Sequence, residues 1–144
     1  MAGCWRVASN ASCGRFRHKH QRCRALRAGH YGRGLRVRQA VATTAGRLPA
    51  RWVIHTVGPV WSPTEDRSPL LRACYQNSLV VAAELGARSV AFPLISSGVY
   101  RWPKEDAAAQ ALTALRTPPP SIELVRLVLF DDDARHAAER VRQR

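Results

Sequence analysis

Over residues 51–144, short apolar runs alternate with helix-length segments, and this alternation limits the fold more than any other property of the chain. Residues 51–57 read as a strand, residues 88–92 as a short buried strand, and residues 122–130 as a nearly continuous apolar strand. Runs that are apolar throughout belong to sheets covered on both faces, typically parallel ones. Between them, Ser68-Pro69 marks a helix start, with Ser as cap and Pro at the first helical position. Leu71, Cys74, Tyr75, Leu79, Ala82 and Ala83 then recur at helical spacing until Gly86 stops the run. Pro103 opens a second helix, with Glu105 and Asp106 complementing the dipole and Ala108, Ala111, Leu112 and Leu115 as the buried stripe. Pro118-Pro119-Pro120 is a stiff connector, and Asp133 is the expected cap of a last helix carrying Arg140, Arg142 and Arg144. A further strand over residues 39–45 precedes these elements, separated by Gly46-Arg47-Leu48-Pro49. Strands and helices in this order predict an α/β layered domain with a largely parallel sheet.

The 144 residues fit one domain, which at that size buries roughly 68–70% of its unfolded surface and needs no disulfide or metal to fold. The hydrophobic fraction of 46% excludes a wholly disordered chain. No apolar run approaches the ~20 residues that cross a bilayer, so no membrane-spanning helix is expected. The net charge of +13 is unevenly spread. Residues 1–38 hold ten basic residues and no acid, leaving 13 basic against all 10 acidic residues in positions 39–144. The charge therefore describes the first quarter, not the globular part.

Residues 1–22 show neither strand nor helix periodicity and are assigned no secondary structure. They lack the 7–15-residue apolar core of a secretory signal, so the match of Asn10-Ala11-Ser12 to a glycosylation acceptor is idle. Arg-rich, acid-free composition suits a transit peptide or a basic arm on nucleic acid, with Trp5 and Phe16 as stacking residues. A solvated terminus is the plainer reading, and nucleic acid through residues 1–38 is not favoured. Cys13, His18, His20 and Cys23 have metal-ligand chemistry, but their spacing departs from the two close pairs of a structural zinc site, so no metal and no cofactor are expected. Residues 22–28 read as a short helix ending at Gly29, with a turn at Gly32 and Gly34. Cys4 and Cys74 show no pairing signal, and the default is a cytoplasmic chain with reduced thiols.

Pro93-Leu94-Ile95-Ser96-Ser97-Gly98-Val99-Tyr100 lies between a buried strand and a helix start. Ligands of open α/β sheets bind beyond the carboxyl ends of the strands, where such loops lie. Small Ser and Gly side chains let backbone N–H groups approach an anion, and the following helix N-terminus adds positive potential. Tyr100 is placed to cover a ribose or base edge. On these residues alone, an anion site and an ordinary strand–helix turn both stand.

The run Trp52-Val53-Ile54-His55-Thr56-Val57-Gly58-Pro59-Val60-Trp61 resembles the signature strand of macrodomains. Leu71, Cys74-Tyr75 and Asn77-Ser78-Leu79 resemble that family's following helix; Ser89-Val90-Ala91-Phe92-Pro93, then Ser96-Ser97-Gly98-Val99-Tyr100 and Pro103, resemble its strand and second phosphate-binding loop. The resemblance runs from about Cys23 to the C-terminus. It is closest to the bacterial and mitochondrial branch of O-acetyl-ADP-ribose deacetylases and ADP-ribosyl hydrolases. It implies a three-layer α/β/α sandwich with a mixed, largely parallel sheet, binding ADP-ribose or its derivatives. The backbone of Ser96, Ser97, Gly98 and Val99 would hold the diphosphate, Tyr100 would pack by the distal ribose, and Phe130 and Asp131 would lie on the adenine side.

His55, within the signature strand, reads as a core histidine satisfied by backbone rather than as a catalytic group. Arg101 stands where the family often has Gly, and reads as solvated. Macrodomains also begin with two strands that precede the first matching residue, and with loops bearing an adenine-reading Asp and an acidic residue tied to hydrolysis. Residues 1–22 contain no Asp or Glu to take those roles. The resemblance therefore implies an N-terminally truncated, partial macrodomain over residues 23–144, following a basic segment over residues 1–22. Weak binding and slow or no turnover follow from that reading, and binding should survive removal of residues 1–38. The missing second strand is internal to the family's sheet, so the chain is expected to be marginally stable unless its first segment or a partner fills the slot.

Overall fold

The computed structural model describes residues 6–9 as backbone and residues 35–143 in full. The elements are β1 (Arg6–Ser9), β2 (Ala40–Thr44), β3 (Trp52–Thr56), α1 (Ser68–Glu84), β4 (Ser89–Pro93), α2 (Lys104–Leu115), β5 (Leu124–Val128) and α3 (Asp132–Arg142). They form a five-stranded sheet in the order β2-β3-β1-β4-β5. β2 runs antiparallel to β3, and the remaining pairs are parallel.

β3 and β4 read as apolar runs because they are the inner strands: Val53, Ile54, Thr56, Val90, Ala91 and Phe92 are all buried. α1 lays Leu71, Cys74, Tyr75, Ser78, Leu79 and Ala82 against this surface, and the Tyr75 and Phe92 rings meet at 5.3 Å between centroids. Cys74 is a free, buried thiol, and burial raises its pKa. α2 packs against α1, and α3 against α2. The buried stripe of α2 is Ala107, Ala108, Ala111 and Ala114, whereas Leu112 and Leu115 of the expected stripe are only half-buried. No helix among the described residues is long and apolar enough to cross a membrane.

The helix ends show where local pattern and tertiary structure part. Ser68 opens α1 but does not cap it; Asp66 Oδ1 instead accepts from the Ser68 N–H at 2.9 Å, an Asx-type turn. That bond holds the Asp66 carboxyl below its ordinary range. At the other end, Gly86 has φ +70°. Its N–H donates to Ala83 O at 2.9 Å and that of Ala87 to Ala82 O at 2.9 Å, closing a Schellman motif. The cap of α3 is Asp131, not Asp133: Asp131 Oδ1 accepts from the Ala134 N–H at 2.8 Å, which puts Asp132 and Asp133 in the first turn. A run of three aspartates offers the cap to any of them, and the end of β5 decides. β5 itself is shorter than the 122–130 run and is an edge strand, with Leu124 and Val128 exposed at 41% and 54%.

The largest departure is β1. Residues 1–22 carry no strand pattern, yet Arg6–Ser9 forms the central strand of the sheet. Its register pairs Arg6 with Val53, Val7 with Ile54, Ala8 with His55 and Ser9 with Thr56, and pairs Arg6 with Ala91 on the other side. Four residues are too few to show periodicity. What recruits them is the requirement of β3 and β4 for ladder partners inside the sheet, since a buried N–H or C=O left unpaired is costly. The first segment is thus what fills the internal slot. It also follows that removing residues 1–38 removes a central strand, so that deletion cannot isolate ligand binding from folding. The expected helix over residues 22–28, the turn at Gly32 and Gly34, Asn10-Ala11-Ser12, and the Cys13, His18, His20 and Cys23 cluster lie outside the described residues.

Four ladder positions at about 1 kcal/mol each make β1 a contributor of several kcal/mol. Deleting residues 1–9 should lower the thermal midpoint by roughly 10–20 °C in a circular dichroism melt. An unchanged, cooperative melt of the shortened chain would show that β1 does not hold the sheet together.

Candidate functional site

The loop of residues 94–103 leaves the carboxyl end of β4 and enters α2, and four contacts fix its path. From α1, the buried Tyr75 hydroxyl accepts from the Ile95 N–H at 2.9 Å and donates to Pro93 O at 3.5 Å; burial raises the pKa of this phenol, keeping it protonated as donor. Ser97 Oγ donates to Leu94 O at 2.9 Å. The Trp61 N–H donates to Tyr100 O at 3.1 Å, tying the loop to the segment after β3. The Arg101 N–H reaches Gly98 O at 2.9 Å, and that of Trp102 reaches Ser96 O at 3.1 Å, folding the loop back on itself.

A further contact is steric. A Cβ on Gly58 would stand 2.4 Å from Ser96 Oγ and 2.7 Å from Ile95 Cγ2. Only glycine therefore allows β3's exit to lie against this loop. Ser96 is pressed into that gap: it is 6% exposed, has φ +67°, and its hydroxyl has no hydrogen-bond partner among the described residues. Arg101 also has positive φ, 55°, and is exposed. A left-handed non-glycine residue costs about 1–2 kcal/mol, which is the physical reason a glycine suits this position.

The contacts use carbonyls and the N–H groups of residues 95, 101 and 102. Among the described residues, none of the backbone N–H groups of Ser96, Ser97, Gly98, Val99 and Tyr100 donates to another group of the protein. Five consecutive donors are thus unspent, at the carboxyl end of an inner strand and just ahead of the N-terminus of a 12-residue helix. Gly98 and Val99 are exposed, and a Cβ on Gly98 would meet nothing within 4 Å. Consecutive free N–H groups with a helix dipole behind them form an anion-binding concavity.

The structure brings all five expected loop residues together and adds Phe130 at the same end of the sheet. Pro93 pairs with Val128 in register, so β4 and β5 end level, and Phe130 follows with 86% exposure. Asp131 has a structural task beside any other. It caps α3 and accepts from Lys104 Nζ at 2.9 Å, while Lys104 also reaches Asp133 at 3.4 Å. The Lys104 ammonium and the Ala134 N–H hold its carboxyl below the ordinary range. His55 lies apart from the loop: its Nε2 meets Thr43 Oγ1 at 2.9 Å, so a hydroxyl across the β2–β3 pair satisfies it. A cavity of about 260 Å³ lined by Gln39, Ala40, Asn77, Val80, Val81 and Glu84 sits between β2 and α1 and contains none of the loop residues. The residues that sequence reasoning missed are the supports. Tyr75 was visible only as part of a helical stripe and Gly58 only as part of a strand motif, because their contacts with the loop span 20 and more positions.

A sequence profile of the Macro domain family matches residues 10–111, beginning ahead of Cys23. A Macro domain-containing protein of Streptomyces nogalater is 66% identical over 112 residues, covering 78% of this chain and 62% of its own length. An O-acetyl-ADP-ribose deacetylase of Klebsiella pneumoniae is 48% identical over 98 residues, covering 65% of this chain and 56% of its own. The chain thus spans about three fifths of the length of these relatives. Among solved structures, the Oceanobacillus iheyensis macrodomain with ADP superposes with a TM-score of 0.85 at 29% identity, over 99% of this chain and 83% of that one. That likeness gives the chain the three-layer α/β/α macrodomain fold. A family profile over more than two thirds of the residues, and a fold shared along nearly all of them, agree: the chain belongs to the Macro domain family.

Proposed function

We propose that the chain binds ADP-ribose or its derivatives, with the diphosphate against the N–H groups of Ser96, Ser97, Gly98 and Val99 and with Tyr100 packed by the distal ribose. The observation that carries this reading is the run of five backbone N–H groups in front of α2 that have no partner among the described residues. A diphosphate offers several charged acceptors in a short span, and charge-assisted bonds to such acceptors are roughly twice as strong as neutral ones. The exposed Phe130 supplies an apolar face at the same sheet end for a base, with Asp131 beside it. Support comes also from the relatives: the Oceanobacillus structure contains ADP, which has the same diphosphate, and the Klebsiella relative is a deacetylase of an ADP-ribose ester.

The reading extends to binding more than to turnover. Residues 1–38 contain no Asp or Glu, so the carboxylate that hydrolytic members carry in their first loops has no counterpart there. A positioned acid or base typically contributes 10²–10⁴-fold. Hydrolysis of O-acetyl-ADP-ribose should accordingly run at least about a hundredfold slower than with a deacetylase that carries that carboxylate. Turnover at the rate of such a relative would overturn this part.

Gly98→Val tests the loop itself. The added side chain enters open space, so stability should stay within about 0.5 kcal/mol. ADP-ribose affinity, measured by calorimetric titration, should fall at least tenfold, about 1.4 kcal/mol. Wild-type affinity in this variant would remove the diphosphate from the loop. Gly58→Ala should differ by damaging both quantities, lowering stability by about 1–3 kcal/mol through overpacking and weakening binding as Ser96 is displaced. Retention of both would mean that the gap at Gly58 does not position the loop.

A further inference from the structure

The loop's two left-handed residues, Ser96 and Arg101, bracket the free N–H groups. Such conformations persist only where surrounding structure holds them. At the far end of the loop the holding residue is Trp102. Its side chain is buried, at 3% exposure, its backbone N–H donates to Ser96 O at 3.1 Å, and its indole Nε1–H donates to Asp106 Oδ2 at 2.6 Å. The other oxygen of Asp106 accepts from Gln110 Nε2 at 3.1 Å. Gln110 Oε1 in turn accepts from the Arg72 guanidinium of α1. One carboxylate thus has an oxygen on the loop's anchor and an oxygen on a hydrogen-bond chain that ends in another helix.

Asp106 is not simply the acid that a helix N-terminus favours. Glu105, in the same turn, is turned to α3, where it accepts from Arg140 at 3.2 Å. A carboxylate close to an anion-binding loop would, by charge alone, repel the ligand. Its presence there, spent on two N–H donors, points to a task in placing the loop.

We infer that Asp106 is a positioning residue: through Trp102 it holds Ser96 and Arg101 in the conformations that leave the N–H groups of residues 96–100 available to a diphosphate. This inference rests on the reading of the loop as an ADP-ribose site. The two roles open to Asp106 predict opposite signs. If its charge is what matters, removing it tightens binding; if it positions the loop, removing it weakens binding.

The test is calorimetric titration of ADP-ribose into Asp106→Ala, Asp106→Asn, Trp102→Phe and the Trp102→Phe/Asp106→Ala double variant, each below its melting transition. Trp102→Phe keeps an aromatic ring in the core while removing the Nε1–H donor together with part of the indole, so it serves where Asp106→Ala fails to fold. Asp106→Ala and Trp102→Phe should each weaken binding roughly tenfold or more, as loss of a hydrogen bond to a charged group does. The double variant should lie within about twofold of the weaker single one, because both remove the same bond. Asp106→Asn, which keeps an acceptor for Trp102, should recover most of the affinity. Affinities of Trp102→Phe and Asp106→Ala equal to or tighter than wild type would overturn the inference. If the wild-type chain itself does not bind ADP-ribose, the functional reading fails, and amide exchange at Arg101 and Trp102 decides the clamp separately. Exchange at least roughly tenfold faster in Trp102→Phe supports the clamp, and unchanged exchange overturns it.

Discussion

The structure depends on the two ladders by which β1 joins β3 to β4. Those two strands carry the site between them: Gly58 lies two residues past the end of β3, and β4 runs directly into the loop of residues 94–103. The contact between Gly58 and Ser96 requires the two strand ends at a fixed separation. Four residues, Arg6–Ser9, set that separation by lying between them in parallel register. Since a one-residue slip reverses which face each side chain occupies, the register of this short strand bears on the whole carboxyl end of the sheet.

Above that ladder, the loop is shaped mostly by groups outside it. Tyr75 from α1 grips its entry through Pro93 and Ile95, Gly58 gives it room, and Trp102 closes its exit onto Ser96. Each support uses a carbonyl or an end residue of the loop and leaves the middle N–H groups untouched. The result is a preorganised row of donors, in which little ordering remains to be done when an anion arrives. The two positive-φ residues show that this arrangement is held against local preference. An Arg at φ 55° is tolerable because its neighbour Trp102 is buried and bonded on both its backbone and its ring.

Much of this was legible in the residues. β2, β3, β4, α1 and α2 fall within about two residues of their expected positions because each has a complete local signal, such as Ser68-Pro69 with Gly86 or Pro103 with Glu105 and Asp106. The loop was legible as a candidate because Ser96-Ser97-Gly98 follows a buried strand. What escaped were features set by neighbours distant in sequence. β1 has no pattern of its own, Asp131 rather than Asp133 caps α3 because of where β5 stops, and β5 is half-exposed because it lies at the sheet's edge. His55 meets a hydroxyl on the adjacent strand, Thr43 Oγ1, a contact that no spacing within β3 reveals. The first quarter's charge, so prominent in composition, proved less informative than four of its residues.

The free N–H groups of residues 96–100 are the proposed diphosphate site, and their amides report on it directly. Amide chemical shifts recorded during parallel titrations with ADP-ribose and with adenosine, which lacks the diphosphate, address it residue by residue. With the diphosphate on this loop, the amides of Ser96, Ser97, Gly98, Val99 and Tyr100 shift strongly with ADP-ribose and little with adenosine. Shifts that leave these five amides unmoved, or that gather instead around the cavity at Gln39 and Asn77, would contradict it.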